Sequence, residues 1–166
     1  GRLVIERARA LKMKAVVYDP HLAGETIRLL GAEQVELDEL LARSDFVTLH
    51  TPLNTETRNF INAETLADMK PGSYIINCAT GGLIDEDALA AALESGHIAG
   101  AALDVFWKEP PPADHLLLKF DQVICTPHLR TATRDAQINI TVQVARQVID
   151  FLQQGMIVNA VNVPSI

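Results

Sequence analysis

Five side chains able to do chemistry stand where apolar runs end: Asp19, His50, Cys78, Asp104 and His128. The hydrophobic pattern selects these positions, not the chemistry of the residues. An imidazole with an ordinary pKa of about 6.5 can give or take a proton at neutral pH. A carboxylate at a strand end can accept hydrogen bonds from a ribose. A thiol becomes a nucleophile only with a base close by, and the sequence names none for Cys78. Each feature also has a plainer reading. His128 can bond backbone beside Pro127, Asp19 can make a turn before Pro20, and Asp104 can cap a turn. His21, His50, His97, His115 and His128 show no ligand spacing such as H-x-x-x-H, so no metal is expected.

The elements that must position these groups alternate. Apolar residues at helical spacing (Leu3, Val4, Ala8, Leu11) predict a first helix. Further helices are expected over 22–30, from Asp38 as cap, over 63–69, from Asp85 as cap through Leu93, and over 131–154. Strands are expected over 14–19, 46–50, 73–78, 99–105 and 123–126. Continuous apolar strands between helices predict an α/β chain with a doubly wound parallel sheet, Rossmann-like, covered on both faces. In that class ligands bind at the carboxyl ends of the strands.

Composition narrows the function classes. The 166 residues are 48% hydrophobic and 21% charged, with a net charge of −7, which excludes low-complexity disorder. No apolar run approaches the roughly 20 residues of a membrane span. An acidic balance without a Lys/Arg cluster argues against nucleic acid or an anionic membrane as partner. Two cysteines, Cys78 and Cys125, make no disulfide framework, so a reducing, cytoplasmic setting is expected. The last helix mixes Arg134, Asp135, Gln143 and Arg146 on its polar face, which suits core and subunit packing better than a membrane surface.

A dinucleotide fingerprint needs G-x-G-x-x-G and then an acidic residue about 20 positions on. Gly1 opens a helix, and Asp19 follows 18 positions later at a strand end. Gly1 therefore fits the last glycine of a fingerprint that begins before this chain. A carboxylate at Asp19 would repel a 2′-phosphate and accept from a 2′-hydroxyl, favouring NAD over NADP.

Several ordered motifs carry a resemblance. They are His50-Thr51-Pro52-Leu53, Asn77-Cys78-Ala79-Thr80-Gly81-Gly82-Leu83-Ile84-Asp85-Glu86, Gly100-Ala101-Ala102-Leu103-Asp104-Val105-Phe106, Glu109-Pro110 and Cys125-Thr126-Pro127-His128. Together they resemble the D-isomer-specific 2-hydroxyacid dehydrogenases over essentially the whole chain. The tail 159–166 is similar to one branch of that family in particular.

The resemblance implies hydride transfer between NAD and a 2-hydroxy or 2-oxo acid, the small-molecule partner. It implies that 1–166 is a cofactor domain without its first strand, most of its glycine loop and its substrate domain. Such a piece is expected to fold poorly alone, because its loss would leave two strands without their shared neighbour. It also implies a homo-oligomer formed through cofactor domains. His128 becomes the acid/base and Glu109, 19 positions earlier, the carboxylate that orients it. Gly1, Asp19, Thr51, Cys78, Ala79, Thr80, Asp104, His128, Arg130 and Thr131 become cofactor contacts, with Asp104 facing the nicotinamide amide and Cys78 and Ala79 offering backbone groups.

Two positions depart from the family pattern. Thr80 stands where the family has an Arg that grips the substrate carboxylate. A hydroxyl cannot replace a planar cationic fork with five donors. Arg130 and Thr131 stand where the family has small residues near the nicotinamide. Arg130 would crowd the cofactor, point to solvent, or supply the guanidinium absent at Thr80.

Overall fold

The structure, a computed structural model, describes residues 1–129 and 132–160. It divides into two units, Gly1–Pro127 and His128–Ile166. In the first, the order is α1 (Arg2–Ala10), β1 (Val16–Val17), α2 (Gly24–Leu29), β2 (Glu33–Gln34), α3 (Leu37–Arg43), β3 (Phe46–Leu49), α4 (Ala63–Asp68), β4 (Ser73–Asn77), α5 (Glu86–Glu94), β5 (Ile98–Leu103), a short 3-10 helix (Leu116–Lys119) and β6 (Val123–Cys125). The second unit contains α6 (Arg134–Gln154).

Every strand pair is parallel, as the alternation of strand and helix predicts. The strands form two separate sheets, β1-β2 and β3-β4-β5-β6. In the larger sheet the register places Val47, Ile75, Ala101 and Val123 on one face. That face packs on Leu41 of α3, Leu66 of α4 and Leu89 and Leu93 of α5, each nearly or wholly excluded from solvent. Fully burying such a side chain contributes about 1.5–3 kcal/mol.

The opposite face is more open within the first unit. Phe46, Tyr74 and Ile124 are 51%, 43% and 68% exposed. The Phe46 and Tyr74 rings stack at 5.1 Å, and Tyr74 lies over Gly100, where a Cβ would come within 3.2 Å of the ring. The physical reason lies in the helices of this unit: α1 buries no residue, and the core helices α3, α4 and α5 all sit on the other side.

Capping chemistry sets most boundaries. Asn62 and Thr65 form a reciprocal capping box at α4. The Asp85 side chain accepts from the Ala88 N–H at 3.0 Å, as its position before α5 predicts. Asp38 is not a cap: α3 begins one residue earlier, and Asp38 accepts from the Glu39 N–H within the first turn. The last helix starts at Arg134 rather than 131, because Thr133 accepts from the Ala136 N–H. Within this single chain none of its residues is buried. Among the described residues no helix is long and apolar enough to cross a membrane.

Candidate functional site

The carboxyl ends of four parallel strands lie side by side. At β4, the strand-end residue Asn77 is 2% exposed. Its amide nitrogen donates to the Thr80 carbonyl at 3.0 Å, and its oxygen accepts from the Ala79 N–H at 3.0 Å. A buried amide with both ends satisfied thus folds Cys78-Ala79-Thr80 into a tight turn. In the sequence Asn77 only opens the motif 77–86 and has no role of its own. The signal was a polar residue closing an otherwise apolar strand.

Beyond the turn, Gly81 and Gly82 permit close approach. A Cβ on Gly81 would stand 1.9 Å from the Phe106 carbonyl oxygen, and one on Gly82 would stand 2.6 Å from the Trp107 ring. Because the obstacle at Gly81 is backbone, it cannot rotate away. Gly81→Ala is expected to destabilise the fold by about 1–3 kcal/mol, the usual range for overpacking. Chemical denaturation with an unchanged slope and a lower midpoint would register it.

At the end of β5, Asp104 is 6% exposed and its N–H donates to the Asn77 carbonyl at 3.0 Å. The Thr126 hydroxyl, just past β6, donates to the Asp104 carboxylate at 2.5 Å. Partial burial and then the Asp104 charge push the Cys78 thiol up.

His50 and Thr51 follow β3. The His50 imidazole lies 3.2 Å from the Thr48 hydroxyl, and desolvation pushes its pKa down. Gly1 caps α1 beside this ring: a Cβ there would meet only His50, at 3.8–3.9 Å. Among the described residues no contact thus demands glycine at position 1. Asp19 sits past β1 on the smaller sheet, and one carboxylate oxygen accepts from the His21 N–H at 2.9 Å. The turn reading of Asp19 is therefore present in the structure.

Glu109 lies on the loop after β5. Its Oε1 accepts from the Phe106 N–H at 3.1 Å, and the Glu109–Pro110 peptide is cis. His128 belongs to the second unit and has φ of 51°, in the left-handed region. Arg130 and Thr131, and the tail from residue 161, lie outside the described residues.

The residues present fit a dinucleotide. A nine-residue helix opens at a glycine where a Cβ would meet nothing closer than 3.8 Å, with no side-chain cap, and the first N–H groups of a helix lack partners within it. A carboxylate follows at the next strand end, and a buried carboxylate and a tight turn occupy the ends of the central strands. This rim defines a dinucleotide-binding α/β domain.

Its family follows from comparison: the chain belongs to the D-isomer specific 2-hydroxyacid dehydrogenases, whose NAD binding domain it matches over residues 1–129. D-3-phosphoglycerate dehydrogenase of Bacillus subtilis (strain 168) is 45% identical over 165 residues, 99% of this chain and 31% of the relative. The Synechocystis sp. enzyme of the same name is 48% identical over 166 residues, all of this chain and 30% of the relative. The chain thus spans about a third of the length of these relatives.

Among solved structures, a glyoxylate reductase from Paecilomyes thermophila superposes with a TM-score of 0.89 at 37% identity, covering 98% of this chain and 49% of that one. The NAD complexed form of a D-isomer specific 2-hydroxyacid dehydrogenase from Lactobacillus delbrueckii ssp. bulgaricus gives 0.86 at 30%, covering 98% and 53%.

Proposed function

We propose that this chain is the cofactor-binding part of an NAD-dependent dehydrogenase acting on a D-2-hydroxy acid. D-3-phosphoglycerate is the favoured substrate, oxidised at C2 to 3-phosphohydroxypyruvate as in serine biosynthesis. The observation that carries the reading is 45–48% identity to D-3-phosphoglycerate dehydrogenases across the full chain, motifs included. The TM-score of 0.89 to a glyoxylate reductase favours glyoxylate or hydroxypyruvate reduction as a second substrate reading.

NAD, when bound, supplies the hydride acceptor. His128 takes the proton of the substrate C2 hydroxyl during oxidation and returns one to the carbonyl oxygen in reduction. Glu109, by its family position, orients that imidazole. Asp19 would accept from the adenosine ribose, the α1 N-terminus at Gly1 would hold the diphosphate, and Thr51, Cys78, Ala79, Thr80 and Asp104 would hold the nicotinamide end. Arg130 and Thr131 complete that set by family position. The working protein is a cytoplasmic homo-oligomer, by analogy with its family alone.

A catalytically impaired NAD-binding or regulatory module is the other reading, favoured by Thr80 in place of the family Arg. NADH fluorescence together with turnover of D-3-phosphoglycerate and glyoxylate by the full polypeptide separates the readings. Binding with turnover supports the dehydrogenase, and binding without turnover supports the module. Absence of NADH binding at millimolar concentration refutes both. Asp19→Ser should narrow the preference for NAD over NADP by on the order of tenfold, since it removes the charge that repels a 2′-phosphate.

A further inference from the structure

One carboxylate outside the site described above holds both ends of the loop that carries Glu109. Glu86 occupies the first position of α5, where the helix dipole favours negative charge. Its Oε1 accepts from the Trp107 N–H at 2.7 Å, and its Oε2 lies 3.0 Å from His115 Nε2. The Glu86 and His115 side chains are only 19% and 14% exposed.

His115 is fixed in turn. Its Nδ1 accepts from the Leu117 N–H at 3.3 Å, so the proton on the neutral ring sits on Nε2 and points at Glu86. The Phe106 ring meets the imidazole edge-on at 5.4 Å. The Trp107 indole leaves no room for a Cβ on Gly82, and the Arg58 guanidinium lies over the ring at 4.7 Å from its centroid.

The connection to Glu109 runs through adjacent peptide groups. The Trp107 N–H is held by Glu86, and the N–H of its neighbour Phe106 is held by Glu109. Fixing one peptide fixes the direction of the next. We propose that Glu86, with His115, is a positioning residue for the reaction: it sets the backbone at 106–107 and so aims the Glu109 carboxylate. This rests on the reading of Glu109 given under the proposed function.

The test is a double-mutant cycle in the full polypeptide, with turnover and fluorescence as readouts. Trp107 is the single tryptophan of these 166 residues, so the difference in emission and anisotropy between the full polypeptide and its Trp107→Phe variant reports this loop. Glu86→Ala should lower kcat by on the order of 10- to 100-fold, the scale of a misplaced catalytic group, with KM for NAD little changed. Its Trp107 anisotropy should fall as the loop loosens. In a Glu109→Gln background the same substitution should have no further effect on kcat.

Glu86→Gln supplies a milder variant should Glu86→Ala not fold. Its amide oxygen can still accept from Trp107, but its NH2 opposes the Nε2–H of His115. It should give a smaller loss with the same dependence on Glu109. Equal losses from the Glu86 variants in both backgrounds, or no loss in either, overturn the positioning role and leave the Glu109 reading intact. No loss from Glu109→Gln alone overturns that reading and the positioning role with it.

Discussion

Thr80→Arg is expected to raise turnover of a D-2-hydroxy acid by on the order of 10²–10⁴, in kcat and kcat/KM alike. The turn at this position is built by main-chain and Asn77 contacts, not by the Thr80 side chain. Asn77 grips the Thr80 carbonyl and the Ala79 N–H. The substitution therefore changes what the turn presents without changing the turn. An arginine there would offer a bidentate, charge-assisted grip on the substrate carboxylate and a positive charge beside the carbonyl oxygen that carries developing charge in the transition state. A threonine hydroxyl offers one neutral donor. Steady-state assays of the two full-length proteins side by side would decide, and equal turnover would refute the deficit. If Arg130 already supplies the guanidinium, Thr80→Arg gains little and Arg130→Ala loses substrate affinity.

His128→Asn should lower turnover by about 10²–10⁴, with a far smaller loss of NADH binding from the one cofactor contact it removes. Asparagine is the informative choice because of the backbone. A non-glycine residue at φ of 51° is uncommon, and Asn tolerates that region better than most residues. The variant therefore removes the proton carrier without adding backbone strain. The pH dependence offers a second readout, since the limb of the rate profile that reports the imidazole should vanish with it. A variant that keeps its turnover would remove His128 from the chemistry.

The strands were legible because each is a short apolar run closed by a polar residue or a breaker, and such runs bury well whatever lies around them. β2 was not, because Glu33-Gln34 is polar, exposed and only two residues long. The exposed side of the larger sheet was hidden for a related reason. Phe46, Tyr74 and Ile124 read like core residues, and periodicity alone does not say whether a helix lies over them. Asp19, His50, Cys78 and Asp104 were found at strand ends because strand period and ligand location are linked in this class. The Glu86–His115 contact was invisible: the two positions are 29 apart, and only the folded loop brings an α5 carboxylate to an imidazole beyond it.

The satisfied amide of Asn77 has a consequence for how a ligand would be held. Its nitrogen and oxygen are both engaged inside the turn, on the Thr80 carbonyl and the Ala79 N–H, and the side chain is 2% exposed. Those main-chain groups therefore hold one shape whether or not a ligand is there. A dinucleotide reaching this turn would meet a surface ordered in advance, and little ordering entropy would be charged against its binding.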